Sequence, residues 1–187
     1  MNLKEIYSKS LFLIALILPL SCFSQLNNAE FNLRLSVPEI AIVDIESGAG
    51  RIEFNLVPSS EPGGKPELRL ETTESVWINY SSSLRVNGQK RSIIAQISQG
   101  VVPNGVVLFL EASSPSSFGS INQGYSNGKT QITPVPKPII SGIGSCFTGD
   151  GINMGHELVF SLEISDFSKM ESIGSEEFTI LYTITDN

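Results

Sequence analysis

The chain has 187 residues, which is enough for one well-buried domain and too few for two ordinary domains once an export signal is removed. Its composition, 41% hydrophobic and 17% charged residues, is that of a globular protein and excludes a disordered chain. The formal net charge of −7, without a basic stripe, excludes nucleic acid as an expected partner, because a polyanion would bind against the overall field.

The N-terminus has the three parts of a secretory signal peptide. A region with two lysines precedes an apolar run from Leu11 to Leu20, and small residues follow up to Ser24. The run is about half of the ~20 residues that a membrane-spanning helix needs. We therefore expect residues 1–24 to be removed, leaving Gln25 first in a mature chain without a spanning segment. The expected location is the periplasm, the cell surface or the extracellular space.

The two cysteines decide whether the chain could carry a lipid anchor or an intramolecular disulfide. Cys22 follows a small residue, so a lipoprotein signal that would attach lipid to Cys22 is the alternative interpretation of the N-terminus. If Cys22 is removed or lipidated, Cys146 has no partner for an intramolecular disulfide. We expect Cys146 to be a small buried hydrophobic residue.

Most of the remaining chain reads as short strands and turns. Phe31, Leu33, Leu35 and Val37 alternate with polar residues and predict a first strand that stops at Pro38. Further strands are predicted at residues 40–45, 52–56, 68–70, 76–80, 92–97, 106–110, 139–144 and 156–164. The order of these elements looks antiparallel.

The last predicted strand has the clearest pattern in the chain. Phe178, Ile180, Tyr182 and Ile184 fall on every second residue, with threonines at three of the neighbouring positions. Because side chains alternate across a strand, this pattern predicts one apolar face and one hydroxyl face.

Turn residues divide the strands. Asn87-Gly88 predicts a tight turn before residues 92–97, and Pro103-Asn104-Gly105 predicts a hairpin that pairs residues 93–97 with 106–110. Residues 113–129, from Ser113 to Lys129, predict a long surface loop because they are rich in Ser, Gly and Asn. A short helical turn is expected only within residues 166–175.

Together these elements predict an all-β protein. We expect residues 25–187 to form a single antiparallel β-sandwich of immunoglobulin-like topology, with a small barrel as the alternative architecture.

No group of residues points to catalysis, a metal or a cofactor. The single histidine, His156, lacks the Gly-x-Ser-x-Gly elbow of a serine hydrolase. Cys146 and His156 supply two of the three or four ligands that zinc requires, and Asp150 lacks the clustered carboxylates of a calcium loop. We therefore expect a protein that is not an enzyme.

Trp77 is the main candidate for ligand contact. Aromatic faces stack on sugars, so Trp77 and the predicted loop from Ser113 to Lys129 suggest a monomeric module that binds a glycan or a peptide. Strand alternation puts Trp77 and Asn79 on one face and Tyr80 on the other. The competing interpretation makes Trp77 a core residue between two sheets.

Three segments resemble a family of uncharacterised exported Gram-negative β-proteins. They are Trp77-Ile78-Asn79-Tyr80, the run of residues 139–144 that leads into residues 148–151 and 155–158, and Tyr182-Thr183-Ile184-Thr185-Asp186. The family has no established activity to carry over.

The layout is also similar to pilin subunits of the chaperone–usher route, including their spore-coat-U-like branch. Gly174 stands near the position where those subunits have a glycine before the last strand, whereas Asp186 departs from their penultimate aromatic residue. The resemblance implies an incomplete domain in which the last strand receives an N-terminal segment of another subunit.

The strand-exchange residues would then be Phe31, Leu33, Leu35 and Val37 on the donor, and Phe178, Ile180, Tyr182 and Ile184 on the acceptor. The alternative is that residues 31–37 are the first strand of a complete sandwich. The leading functional hypothesis is an exported structural or surface protein, fimbria-like, whose partners are further copies or related subunits.

Overall fold

The computed structural model describes residues 30–172 and 174–186. The predicted signal peptide, residues 1–24 including Cys22, lies outside this part. The chain divides into two units, residues 1–36 and 37–187. Residues 30–36 of the first unit contain no strand.

The second unit is nearly all β. Its strands are β1 (Ile40–Ser47), β2 (Phe54–Val57), β3 (Glu67–Leu70), β4 (Val76–Ser83), β5 (Arg91–Gln99), β6 (Val106–Ala112), β7 (Tyr125–Ser126), β8 (Thr130–Gln131), β9 (Lys137–Ile143), β10 (Cys146–Phe147), β11 (His156–Ile164) and β12 (Thr179–Asp186). A single 3-10 turn, Phe167–Lys169, lies within the predicted helical region and is capped by Asp166.

Two antiparallel sheets form a sandwich. The first has the order β1-β4-β11-β6-β8, with the short β10 also paired to β4, and the second has the order β12-β5-β9-β7. The ribbon β2-β3 is separate. The predicted all-β antiparallel sandwich is confirmed, whereas the immunoglobulin-like topology stays a prediction.

The core lies between the two sheets. β4, β6 and β11 contribute residues such as Ile78, Leu110 and Leu158, and β5 and β9 contribute residues such as Ile93 and Ile139. Alternation in each strand turns these apolar side chains inward, and burial of each contributes about 1.5–3 kcal/mol.

The predicted hairpin between residues 93–97 and 106–110 is wrong. β5 pairs with β12 and β9, whereas β6 pairs with β11 and β8 in the other sheet. The Pro103 carbonyl does accept a turn bond from the Val106 amide, but the connection crosses from one sheet to the other. The turn at Asn87, which has φ of 61°, likewise joins strands of different sheets.

The strand predicted at residues 31–37 is also wrong, because the structure has no strand between residues 30 and 39. β1 begins at Ile40, after Pro38. The alternation predicted for β11 and β12 is confirmed. One face of each strand packs in or against the core, through Leu158, Phe160 and Leu162 on β11 and Ile180, Tyr182 and Ile184 on β12, whereas Val159 and Leu181 on the opposite faces are 52% and 46% exposed.

In the described residues, no helix is long and apolar enough to cross a membrane.

Candidate functional site

The final strand lies at the edge of its sheet. Among the described residues, β12 pairs with β5 only, and the opposite edge of β12 has no strand beside it. The first strand, β1, is likewise outermost in the other sheet and pairs with β4. Edge strands present unpaired backbone N–H and C=O groups, which can pair with a further strand.

Arg91 ties the two edge strands together at one end. It is only 3% exposed. Its Nε donates to Asp186 Oδ1 on β12 at 2.7 Å, and another guanidinium nitrogen donates to the Ile40 carbonyl at the start of β1. Glu39 accepts from Nη2 at 2.7 Å, and Ser82 Oγ lies 3.1 Å from Nη1. The two open edges therefore lie on the same side of the sandwich.

The core is incompletely covered along this side. We call its half-buried apolar side chains the seam: Val43 and Ile45 on β1, and Ile180, Tyr182 and Ile184 on β12. Strands β1 and β12 contact each other across the two sheets, yet all five side chains remain partly open to solvent. Burial raises the pKa of Tyr182, which marks the apolar character of this strip.

The open edge of β12 lacks the usual features that prevent strand addition. Residues 178–185 contain no charged residue, no proline and no glycine. Natural edge strands are usually blunted by such residues or by bulges. One irregularity, between Thr179 and Ile180, shifts the register near the start of the strand. The rest of the strand presents a regular edge of high β-propensity.

The four predicted donor residues are all exposed. Phe31, Leu33, Leu35 and Val37 are between 71 and 89% exposed, and the backbone around them is in no strand. The four predicted acceptor residues behave differently. Phe178 and its partners at positions 180, 182 and 184 are half-buried and pack against the core.

Trp77 does not lie between the sheets. Val76, Ile78 and Tyr80 are buried on the inner face of β4, and the half-buried Trp77 lies on the outer face, so the interpretation as a core tryptophan is wrong. Its cross-strand neighbours are Glu46 on β1 and Glu157 on β11. The indole Nε1 is buried and has no hydrogen-bond partner among the described residues.

The predicted loop from Ser113 to Lys129 is a long connection with one short strand, β7. The two ends of its first part, Ser113 and Gln123, place their carbonyl oxygens against a buried pair of rings. His156 Nδ1 lies 2.7 Å from the Ser113 carbonyl oxygen, and His156 Nε2 lies 2.8 Å from the Tyr80 hydroxyl. The Tyr80 hydroxyl also contacts the Gln123 carbonyl oxygen. His156 is fully buried, and both of its ring nitrogens have a polar partner.

Burial favours the uncharged form of each of these three groups. It lowers the pKa of His156, against the opposing effect of the Ser113 and Gln123 carbonyls. It raises the pKa of Tyr80, with a smaller contribution from Cys146, and raises the pKa of Cys146 itself to about 11. Cys146 is thus a buried protonated thiol, in agreement with its expected role.

The described residues contain no cluster of three or more His, Cys, Asp or Glu side chains that could hold a metal ion. Near the start of β12 an open groove of about 660 Å³ is lined by charged residues that include Arg51, Glu53, Glu74 and Glu177. Its carboxylates are exposed, which is typical of a solvated surface.

No family model, no curated protein and no solved structure matches this chain. What is established is therefore the fold class: the described residues form an all-β antiparallel sandwich in which the edge strands β1 and β12 lie on the same side. Both family resemblances stay predictions.

Two features of this site were missed at the sequence level. Arg91 carried one signal, a single cation at the start of an apolar strand, but its acceptors lie up to 95 positions away in sequence. The contact between Tyr80 and His156 had no signal, because it depends on which strands become neighbours in the sheet.

Proposed function

We propose that this is an exported, non-enzymatic structural or surface protein, fimbria-like, that associates with other chains by adding a strand to the edge of β12. The observation that carries the proposal is the state of that edge: β12 is outermost, carries no charge from Thr179 to Thr185 and pairs in a regular register from Ile180 on, and its core-facing side chains are half-buried. Added strands commonly bind such edges through main-chain hydrogen bonds and alternate side-chain pockets.

The strand we propose is the segment around Leu33 and Leu35 from a second copy or a related subunit. Burying its four exposed apolar side chains would contribute about 1.5–3 kcal/mol each. The total of about 6–12 kcal/mol is comparable with the cost of association, about 4–15 kcal/mol. Backbone hydrogen bonds along β12 therefore have to supply the net affinity.

Strand direction favours a segment from another molecule. Arg91 places the start of β1, Ile40, and the end of β12, Asp186, at the same end of the sandwich. Residues 31–37 lead into β1, so within their own chain they would run parallel to β12. A segment from a second copy is free to pair antiparallel, which is the slightly more stable arrangement.

The test compares two double variants of the mature protein that add the same charge on opposite sides of the donor segment. We expect Leu33→Lys with Leu35→Lys to abolish self-association, because charges would enter the seam. The control, Asn32→Lys with Ser36→Lys, is expected to associate like the unmodified protein. Native mass is measured by light scattering, and heat-sensitive ladders are sought on denaturing gels.

The acceptor is tested with Thr183→Lys, which places a charge on the solvent face of the β12 edge. We expect this variant to be folded and impaired in association, whereas Val159→Lys, at a 52% exposed site on β11 in the middle of the other sheet, is expected to associate normally. A mature protein that stays monomeric at its highest soluble concentration would overturn the proposal. So would a lower unfolding midpoint of a monomer lacking residues 30–37, which would assign the segment to its own domain.

Export is supported by the N-terminal charge, apolar and small-residue pattern. The expected mature N-terminus is Gln25, which is measured by sequencing the exported protein. A diacylated Cys22 at the N-terminus would instead establish membrane anchoring.

A second candidate function, glycan or peptide binding, is favoured by the surface of the segment from Ser113 to Lys129. Its side chains are uncharged up to Gly128, and Phe118 and Tyr125 are 57% and 62% exposed. Exposed aromatic rings among small polar residues suit neutral ligands with apolar faces. Binding on a glycan array that is lost with Phe118→Ala or Trp77→Ala, in a monomer, would favour this function over strand addition.

A further inference from the structure

His156 and Tyr80 form a buried relay between the two ends of one surface segment. The relay touches only backbone acceptors: the carbonyl oxygens of Ser113 and Gln123, at the first and last residues of the segment 113–123. The rings are inclined by 17° with centroids 5.8 Å apart. The segment between these anchors presents Phe118 and Ile121, which are 57% and 83% exposed.

The relay has three contacts and, in its neutral form, two protons. The Ser113 carbonyl can only accept, so the proton of a neutral His156 belongs on Nδ1. The Tyr80 hydroxyl then has one proton for two acceptors, His156 Nε2 and the Gln123 carbonyl. One contact of the three is left without a proton.

A proton added to His156 supplies the missing third proton, so that each of the three contacts becomes a hydrogen bond. Nε2 changes from an acceptor to a donor toward the Tyr80 oxygen, and the Tyr80 proton is released to the Gln123 carbonyl. Both ends of the segment are then hydrogen-bonded through the relay, and two of the three bonds involve the charged ring, which strengthens them.

We propose that His156 is an acid-responsive anchor of the segment 113–123: the relay hydrogen-bonds the segment at one end near neutral pH and at both ends once the ring binds a second proton, in addition to the backbone bonds that Ser113 and Asn122 make.

Few other ionisable groups face the relay. Tyr80 comes from β4 and Cys146 from β10, and the segment 113–123 itself carries no ionisable side chain. Glu157 follows His156 on β11 but faces the opposite side and accepts a bond from Ser75. Because burial lowers the pKa of His156, the second proton is expected below the ordinary range of histidine.

The test follows the ring and the segment in the same protein. Nitrogen-15 NMR of the His156 ring reports its protonation between pH 8 and pH 4. Amide exchange of Gly144, which donates to Asn122, reports the far end, and that of Ser113, which donates to Glu157, reports the near end. We expect a single Nδ1 proton at neutral pH and, on protonation in the folded state, about 3–10-fold slower exchange at Gly144 relative to Ser113, after correction for intrinsic rates.

Two variants separate the relay from general stability. Tyr80→Phe removes the hydroxyl between the ring and Gln123, so the pH effect at Gly144 is expected to disappear while Ser113 stays protected. Tyr182→Phe, at a half-buried tyrosine on β12 outside the relay, is expected to show the same pH effect at Gly144 as the unmodified protein. If Tyr80→Phe does not fold, the ring titration and amide exchange of the unmodified protein are sufficient to test the proposal. Neutral ring signals down to the point of acid unfolding, or exchange at Gly144 that does not respond to ring protonation, would overturn the proposal.

Discussion

At the scale of single residues, Arg91 is the most consequential side chain. It satisfies the Ile40 carbonyl and the Ser82 hydroxyl in a site that is almost closed to water. Its carboxylate partners, Glu39 and Asp186, are partly exposed, so they can be hydrated again if the guanidinium is lost. The cost of losing Arg91 therefore comes mainly from the unpaired buried acceptors.

We predict that Arg91→Met lowers the free energy of unfolding by about 2–4 kcal/mol, measured by urea denaturation. The matched control is Arg51→Met, which removes an exposed ion pair with Glu53 and is expected to change stability by less than about 1 kcal/mol. Equal effects of the two substitutions would contradict this assignment.

The buried His156 predicts a pH dependence of stability. Its pKa is lowered in the folded protein, so the unfolded chain binds the proton more readily. The stabilisation is complete above the unfolded pKa of about 6.5 and is lost as pH falls from there through the lower folded value. We expect the urea midpoint to decrease from pH 7.5 to pH 5, and this decrease to be smaller in His156→Gln. An identical pH slope in that variant would contradict the prediction.

At the scale of elements, β12 is a strand with its apolar face half covered. Ile184 on β12 and Ile93 on β5 are cross-strand partners, but Ile93 is fully buried and Ile184 is not. The same substitution at these two paired positions therefore compares the stability contribution of an edge strand with that of a central strand.

We predict that Ile184→Ala lowers the free energy of unfolding of the monomer by about 1–2 kcal/mol and Ile93→Ala by about 3–4 kcal/mol, because the number of lost contacts increases with the burial of the side chain. If a second chain adds a strand to β12, the cost of Ile184→Ala should increase in the assembled form while that of Ile93→Ala stays the same. Urea unfolding of both forms measures this difference. A cost at Ile184 that is unchanged by assembly would place the added strand elsewhere.

At the scale of the whole molecule, one core joins both sheets, and the final strand pairs with a strand about 85 positions earlier in sequence. Such long-range pairing predicts slow folding and a single cooperative transition. The only tryptophan, Trp77, lies on the outer face of β4 and outside the core, so its fluorescence reports the state of that outer face.

We predict that Trp77 fluorescence and far-UV circular dichroism follow the same urea transition. An earlier transition of Trp77 would show that the outer face of β4 loosens before the sandwich unfolds. The matched probe is a tryptophan placed at Phe109, which points to the outer side of β6 and carries Lys129 4.6 Å above its ring.

The sequence alone determined most of the strands and their faces. Alternation in residues such as Leu158, Phe160 and Ile180 gives a strand one apolar face, because successive side chains of a strand point to opposite sides. The seam residues of β12 were therefore predictable as core-facing.

Only the tertiary structure decided which strands are neighbours. A short connection such as the one at Pro103 can close a hairpin or cross between sheets, and local sequence does not distinguish these outcomes. The same limit applies to residues 31–37, where alternation is present but no strand forms in the described chain. Alternation specifies a face, whereas pairing depends on which backbone arrives beside it, and so the open edge of β12 could be found only in the folded molecule.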